Sequence, residues 1–240
     1  MEKKNKKKKH SKLLNLLLLL LFLVGIALIF NQQIRYMIMS WNSGKYDASH
    51  YTVEQVEKND HGGEFDFDAV DAVSTEAVLS AQFKNANLNV IGQIAIPDLK
   101  MHLPIFRGIS NTVLLYGAGT MKPDEKMGEG NYSLASHRVD DPTLLFSPLQ
   151  KAVKGQMIFI TDLKKVYQYK TTSVRRVTPD HVEVLDDIPG RKIITLVTCN
   201  DPGAIRRVIV QGDLVDTKPL KSATKEMYAA LKGHVNQGYW

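Results

Sequence analysis

The stretch Ile193-Ile194-Thr195-Leu196-Val197-Thr198-Cys199-Asn200-Asp201-Pro202-Gly203, followed shortly by Arg206-Arg207-Val208-Ile209-Val210-Gln211, decides how this chain is read. β-Branched residues fill both flanks and Asn-Asp-Pro-Gly is strong turn chemistry, so the segment reads as two strands meeting at a turn. Side chains alternate across a strand. Arg206, Val208 and Val210 therefore share one face of the second strand, and Arg207, Ile209 and Gln211 share the other. The first set is the more apolar and is expected to face a core, which turns Arg207 outward. Cys199 ends the first strand, held from behind and open in front, a setting that suits a reacting group better than a core filler.

The same pattern recurs on either side. Residues 90–96, 102–106, 132–137, 156–161, 166–177, 182–185, 192–199 and 206–214 are short runs rich in Val, Ile, Thr and Tyr with turn residues between them. Eight such runs, with 143–151 as the one obvious inserted helix, predict an all-β, eight-stranded barrel over residues 89–216. Residues 217–240 are expected to form a C-terminal helix and tail, with the helix over 222–232 packed on or beside the barrel. Residues 31–88 are polar, acid-rich and weakly patterned, and are read as a stalk with short helices that lifts the barrel off a membrane.

That membrane is inferred from the first 30 residues. The chain carries 31 Lys+Arg against 25 Asp+Glu. Seven lysines within residues 1–12, against Glu2 alone, account for the whole surplus and leave the rest neutral. A neutral domain has no long-range attraction for a phosphate backbone, so nucleic-acid binding is excluded as a function class. Residues 13–30 form an apolar run broken only by Asn15 and Gly25, long enough nearly to span a ~30 Å hydrocarbon core. Lysines on its N-terminal flank predict a cytoplasmic basic tail at 1–12, a single transmembrane anchor at 13–30 and everything later outside the cell. Gly25-Ile26-Ala27 offers a small-x-small pattern, but cleavage there would fall inside the apolar run, so an uncleaved anchor is expected.

Cys199 is the one cysteine in the chain. It excludes an internal disulfide and every multi-cysteine zinc site, and a lone thiol outside the cell asks why it is kept. Nucleophilic thiol chemistry needs a proton carrier and a donor where the oxyanion forms. His137, ending the run Tyr132-Ser133-Leu134-Ala135-Ser136, is a candidate for the first, and Arg206 or Arg207 for the second. An inert buried cysteine in a membrane-tethered binding barrel, and a surface cysteine protease, are the competing readings.

Thr195-Leu196-Val197-Thr198-Cys199, Ser133-Leu134-Ala135-Ser136-His137 and the strand from Arg207 closely resemble the sortases, membrane-anchored cysteine transpeptidases of Gram-positive bacteria. The resemblance runs from about Asn89 to Val215 and takes in Ile94-Ala95-Ile96-Pro97 and Val182-Glu183-Val184-Leu185-Asp186-Asp187. An N-terminal span without an Asp-Pro-aromatic lid is similar to the housekeeping class A, of streptococcal type. The resemblance implies a sortase-type barrel, with Cys199 as nucleophile, His137 as general acid/base and Arg207 positioning substrate and stabilising the oxyanion. It implies Thr198 in substrate contact or oxyanion support, and Val197, Ala135, Val184 and Leu185 at apolar positions of the sorting-signal groove.

The implied substrates are surface proteins bearing Leu-Pro-x-Thr-Gly, cleaved between Thr and Gly and passed to an amine of a peptidoglycan precursor. Some sortases bind calcium through acids near the cysteine strand. Here Asp98, Glu183 and Asp187 stand with Ala95 and Met101 nearby, so activity without calcium or any other cofactor is expected. Deleting residues 1–81 is expected to leave soluble catalysis intact.

Overall fold

The computed structural model describes the backbone of residues 2–67, 69–70, 72–83, 88–201 and 205–232, and side chains from residue 12 onward within those spans, Phe83 excepted. Eight strands are present: β1 Val90–Ile96, β2 Met101–Phe106, β3 Ala118–Thr120, β4 Asn131–Ala135, β5 Met157–Thr161, β6 Lys165–Val177, β7 Ile193–Cys199 and β8 Arg207–Pro219. They close into one barrel in the order β1-β2-β3-β4-β7-β8-β6-β5. Only β2–β3 and β4–β7 are parallel pairs. Every residue of β1 and β2 is buried, and Ile94, Leu103, Ile105, Leu134, Ile194, Leu196, Val208 and Val210 fill the interior.

Two of the expected elements change. Residues Val182–Leu185, whose alternation suggests a strand, form a 3-10 turn in the β6–β7 connection. Its carbonyls are satisfied by side chains instead of a neighbouring strand. Val184 O accepts from Asn131 Nδ2 at 2.9 Å and Gln211 Nε2 at 3.3 Å, and Leu185 O accepts from Lys122 Nζ at 3.0 Å. The eighth strand is Ala118–Thr120, too short and too small in its side chains to show any periodicity. Gly119 is required there because a Cβ would lie 2.1 Å from Gly108 O. The expected helix at 143–151 shrinks to a 3-10 turn at Ser147–Lys151.

The described residues form six α-helices: α1 Glu2–Ile29, α2 Asn31–Lys45, α3 Val53–Asn59, α4 Thr75–Phe83, α5 Asn111–Tyr116 and α6 Lys225–Leu231. Within α1, Lys12–Ile29 has mean hydropathy 2.7 with no part of it buried, and is long and apolar enough to cross a membrane. Thr52 and Gln55 form a reciprocal capping box that starts α3, and Thr224 caps α6. Helix α6 seats Met227 against Phe159 and Val166, while residues 233–240 lie outside the described residues.

Residues 31–83 do not stand away from the barrel as a stalk. Met39, Ala48, Val78 and Ala81 are buried in the same core as the barrel interior, and Tyr46 packs edge-on to Phe106 with centroids 5.5 Å apart. Gln82 Nε2 donates to Tyr116 OH at 2.8 Å, and Ile109 N donates to Glu64 O at 2.8 Å. The apolar residues that make this packing are scattered among acids at no regular spacing. Local pattern therefore reads as a spacer, while burial makes the segment part of the domain.

Candidate active site

Strands β4, β7 and β8 lie side by side, and their registers align three residues. In the β7–β8 hairpin Cys199 pairs directly with Arg207. In the parallel β4–β7 pair Ala135 is opposite Val197 and Ser136 N donates to Val197 O at 3.3 Å, which brings His137, just beyond the end of β4, to the same end of the sheet as Cys199. The thiol, the imidazole and the guanidinium all line one groove, Arg207 from the strand paired with Cys199 and His137 from the chain that leaves β4. Asn200 N donates to Arg206 O at 2.8 Å and Ile205 N donates to Asp201 Oδ1 at 2.9 Å, which closes the hairpin turn. Pro202 and Gly203 lie outside the described residues.

The two faces of β8 separate as the alternation requires. Val208 and Val210 belong to the barrel core, while Arg207 and Ile209 line a groove of about 640 Å³ on the outer wall. Arg206 is exposed and takes no part in that groove. His137, Cys199, Thr198, Val197, Ala135, Val184 and Leu185 all line it too, so every sequence-derived site residue falls in one place. Ile209 joins them from alternation alone. Arg35, Tyr36, Phe67, Val70 and Val73 also line the groove, and nothing in their local sequence signals it.

Several hydrogen bonds hold the row in register. Thr198 is 3% exposed and its hydroxyl donates to Ser136 O at 2.8 Å, tying β7 to the residue before His137. That hydroxyl proton is committed within the protein, so Thr198 acts on the groove first through alignment. Ser136 Oγ donates to Gly117 O at 2.7 Å, and Phe146 N donates to His137 O at 3.1 Å. Gln150 Nε2 donates to Cys199 O at 3.0 Å, fixing the backbone under the thiol. Desolvation by the surrounding protein pushes the His137 imidazole down to about 4, although its edge stays open to the groove. The ring is therefore neutral at neutral pH.

Lys122 anchors the rim. Its ammonium donates to Leu185 O and, at 2.9 Å, to Asp187 Oδ1, which also accepts from Asn131 N at 2.9 Å. The lysine and that amide hold the Asp187 carboxyl below its ordinary value. Glu183 pairs with His181 at 2.7 Å. Among the described residues no group of three or more His, Cys, Asp or Glu is arranged to hold a metal ion.

A thiol, an imidazole and a guanidinium lining one groove are the set that acyl transfer through a thioester requires. The sortase-domain family profile matches residues 94–215. The chain is 47% identical over 221 residues to sortase A of Streptococcus agalactiae, covering 90% of each, and 33% identical over 212 residues to sortase A of Listeria monocytogenes, covering 88% of this chain and 95% of that one. The crystal structure of Listeria monocytogenes sortase A superposes with a TM-score of 0.54 at 39% identity, covering 57% of this chain and 93% of that chain. The matching family profile, the shared barrel and similarity over nine-tenths of a sortase A together mean that the chain belongs to the sortase family of cysteine transpeptidases, and to its class A.

Proposed function

We propose that the chain is a membrane-anchored transpeptidase that cleaves a Leu-Pro-x-Thr-Gly sorting signal between Thr and Gly and transfers the released acyl group to a peptidoglycan-precursor amine. The observation that carries this reading is the row His137–Cys199–Arg207 across three neighbouring strands, facing one apolar groove. Neutral His137 takes the Sγ proton as the sulfur attacks the Thr carbonyl, and a C–S bond forms. Arg207 donates to the resulting oxyanion. The C–N bond then breaks, His137 returns its proton to the Gly amine, and a thioester on Cys199 remains. An incoming amine adds to that carbonyl and gives a proton to His137, the C–S bond breaks, and His137 passes the proton to the departing sulfur, which restores the thiol and leaves a new amide bond.

The peptide lies against Val197, Ala135, Val184 and Leu185, with Thr198 keeping β7 and His137 aligned. Helix α1 anchors the enzyme, its lysine-rich end inside the cell and the barrel outside. Catalysis proceeds without calcium, because the Lys122 ammonium already neutralises Asp187 and draws the 182–187 turn onto β4. A several-fold rise in initial rate on adding calcium to chelator-treated enzyme would remove that last point. The main test is trapping. Full-length protein incubated with a Leu-Pro-x-Thr-Gly peptide is expected to give an acyl adduct at Cys199 by mass spectrometry, and a short amine is expected to convert it to ligated product. Unchanged peptide without adduct would defeat the enzyme mechanism, and hydrolysis indifferent to the amine would leave a protease.

A further inference from the structure

The groove has a wall that the barrel does not supply. Arg35 and Tyr36 of α2, with Phe67, Val70 and Val73 from the chain between α3 and α4, line it together with the catalytic row. That wall is docked by backbone and side-chain bonds along the loop 107–111. Ile109 N donates to Glu64 O at 2.8 Å and Asn111 Nδ2 donates to Ala69 O at 3.1 Å. Gly108, with φ +84°, passes so close that a Cβ there would lie 2.5 Å from Glu64 O. At the other end Tyr36 OH accepts from Asp140 N at 3.2 Å, three residues after His137.

A wall could plug the groove or serve it. With the segment in place about 640 Å³ stays open, within the ~300–1,000 Å³ range of ligand pockets, so the segment does not fill the space. Its chemistry is apolar apart from Arg35. That guanidinium lies 5.9 Å from the Tyr36 ring, lines the groove and has no ion pair among the described residues. A half-buried guanidinium lining a groove offers its terminal N–H groups to an acceptor that enters it. An extended peptide brings such acceptors, since its main-chain carbonyls alternate with its side chains.

We propose that Arg35, Val70 and Val73 form the second half of the sorting-peptide site: the valines receive an apolar side chain of the bound peptide and the Arg35 guanidinium donates to its backbone carbonyls. This rests on the transpeptidase reading for the identity of the peptide. It makes residues 31–83 a specificity element of the enzyme as well as a link to the membrane.

The test is carried out on the full chain in zwitterionic nanodiscs. Binding of a fluorescent Leu-Pro-x-Thr-Gly peptide is measured in a Cys199→Ala background, so that it does not depend on the chemistry. Arg35→Gln is expected to weaken Kd by ~10-fold, the scale of a lost hydrogen bond to a charged donor, and Val73→Ala by ~5-fold. With Cys199 restored, the alkylation rate by iodoacetamide, too small to need the wall, is expected to stay within about twofold of the parent in both variants. Unchanged Kd in both variants would overturn the proposal. So would tighter binding with faster alkylation, the signature of a cover. If Arg35→Gln fails to fold by thermal melting, Val73→Ala decides alone. Unchanged Kd with a normal wild-type adduct sinks the second wall and spares the transpeptidase. Absence of the wild-type adduct with Arg35-dependent binding does the reverse.

Discussion

The groove's two walls are built on different physics. One is the end of β4, β7 and β8, where the hydrogen-bond ladder pairs Cys199 with Arg207 and carries β4 along β7 to Ala135, two residues before His137. The other is the chain from α2 to α4, held by a few long-range bonds such as Asn111 to Ala69 and by burial of Met39, Val78 and Ala81. A ladder resists displacement at every residue and suits groups that must meet a reacting atom within a fraction of an ångström. A docked irregular segment can vary its side chains without disturbing a register, which suits contacts that choose among substrates.

Substitutions on the two walls should therefore differ in kind. Cys199→Ala is expected to abolish turnover, and Arg207→Ala to lower kcat by ~100-fold, the scale of losing one oxyanion donor. Arg206→Ala, on the exposed face, is expected to stay within about threefold, because surface charges away from a site contribute little. Steady-state rates on the sorting peptide compare the two, and a larger loss at Arg206 would reverse the assignment of β8 faces.

Thr198→Val removes the bond to Ser136 O and leaves a buried carbonyl unpaired, so a stability loss of about 1–3 kcal/mol is expected, with ~10-fold lower kcat as β7 slips against His137. Denaturant unfolding and kcat measured on one preparation check both. Unaltered kcat at reduced stability would confine Thr198 to holding the fold.

Truncation sharpens the comparison from the other side. Local sequence suggests that deleting residues 1–81 leaves soluble catalysis intact. The structure changes that expectation, because the deletion strips a groove wall and uncovers core apolar surface. Peptide Kd is expected to weaken by ~10-fold or more with a lower Tm, since the lost wall carries both a charge-assisted contact and apolar burial. Iodoacetamide should still reach Cys199, and an unshifted Kd would restore the spacer reading.

The smallest effect is a pH dependence. His137 has a folded value near 4 against about 6.5 unfolded, so between those values the unfolded chain binds more protons. Stability therefore falls as pH drops through that window, and the acid limb of kcat/KM should lie toward pH 4 and not at 6.5. A shift of that size sets an upper limit of about 3 kcal/mol, reduced by solvation of the ring's open edge. Melting curves of His137→Gln should lose this part of the pH dependence, and an acid limb at 6.5 would contradict a desolvated imidazole.

Legibility followed the range of the physics involved. The Arg207 face could be read because alternation is a property of one strand. The turn at Val182–Leu185 could not, because Val-Glu-Val-Leu carries strand periodicity and side chains distant in the chain, Asn131, Gln211 and Lys122 among them, satisfy its carbonyls another way. Ala118–Thr120 was hidden for the opposite reason: three small residues carry no period, and their pairing comes from Ile105 and Ala135 on either side. Val184 and Leu185 still reach the groove, since a turn can present the same side chains that a strand would.

By itself the sequence determined the barrel class, the apolar span with its lysine flank, and the identities of the thiol, imidazole and guanidinium, because composition, alternation and turn chemistry act over a few residues. Only the tertiary structure decided that β4 lies beside β7 so that His137 and Cys199 line one groove, and that Arg35, Tyr36, Phe67, Val70 and Val73 line that groove from another side. Both depend on contacts between segments distant in the chain, whose energy comes from burial and pairing that no local pattern records.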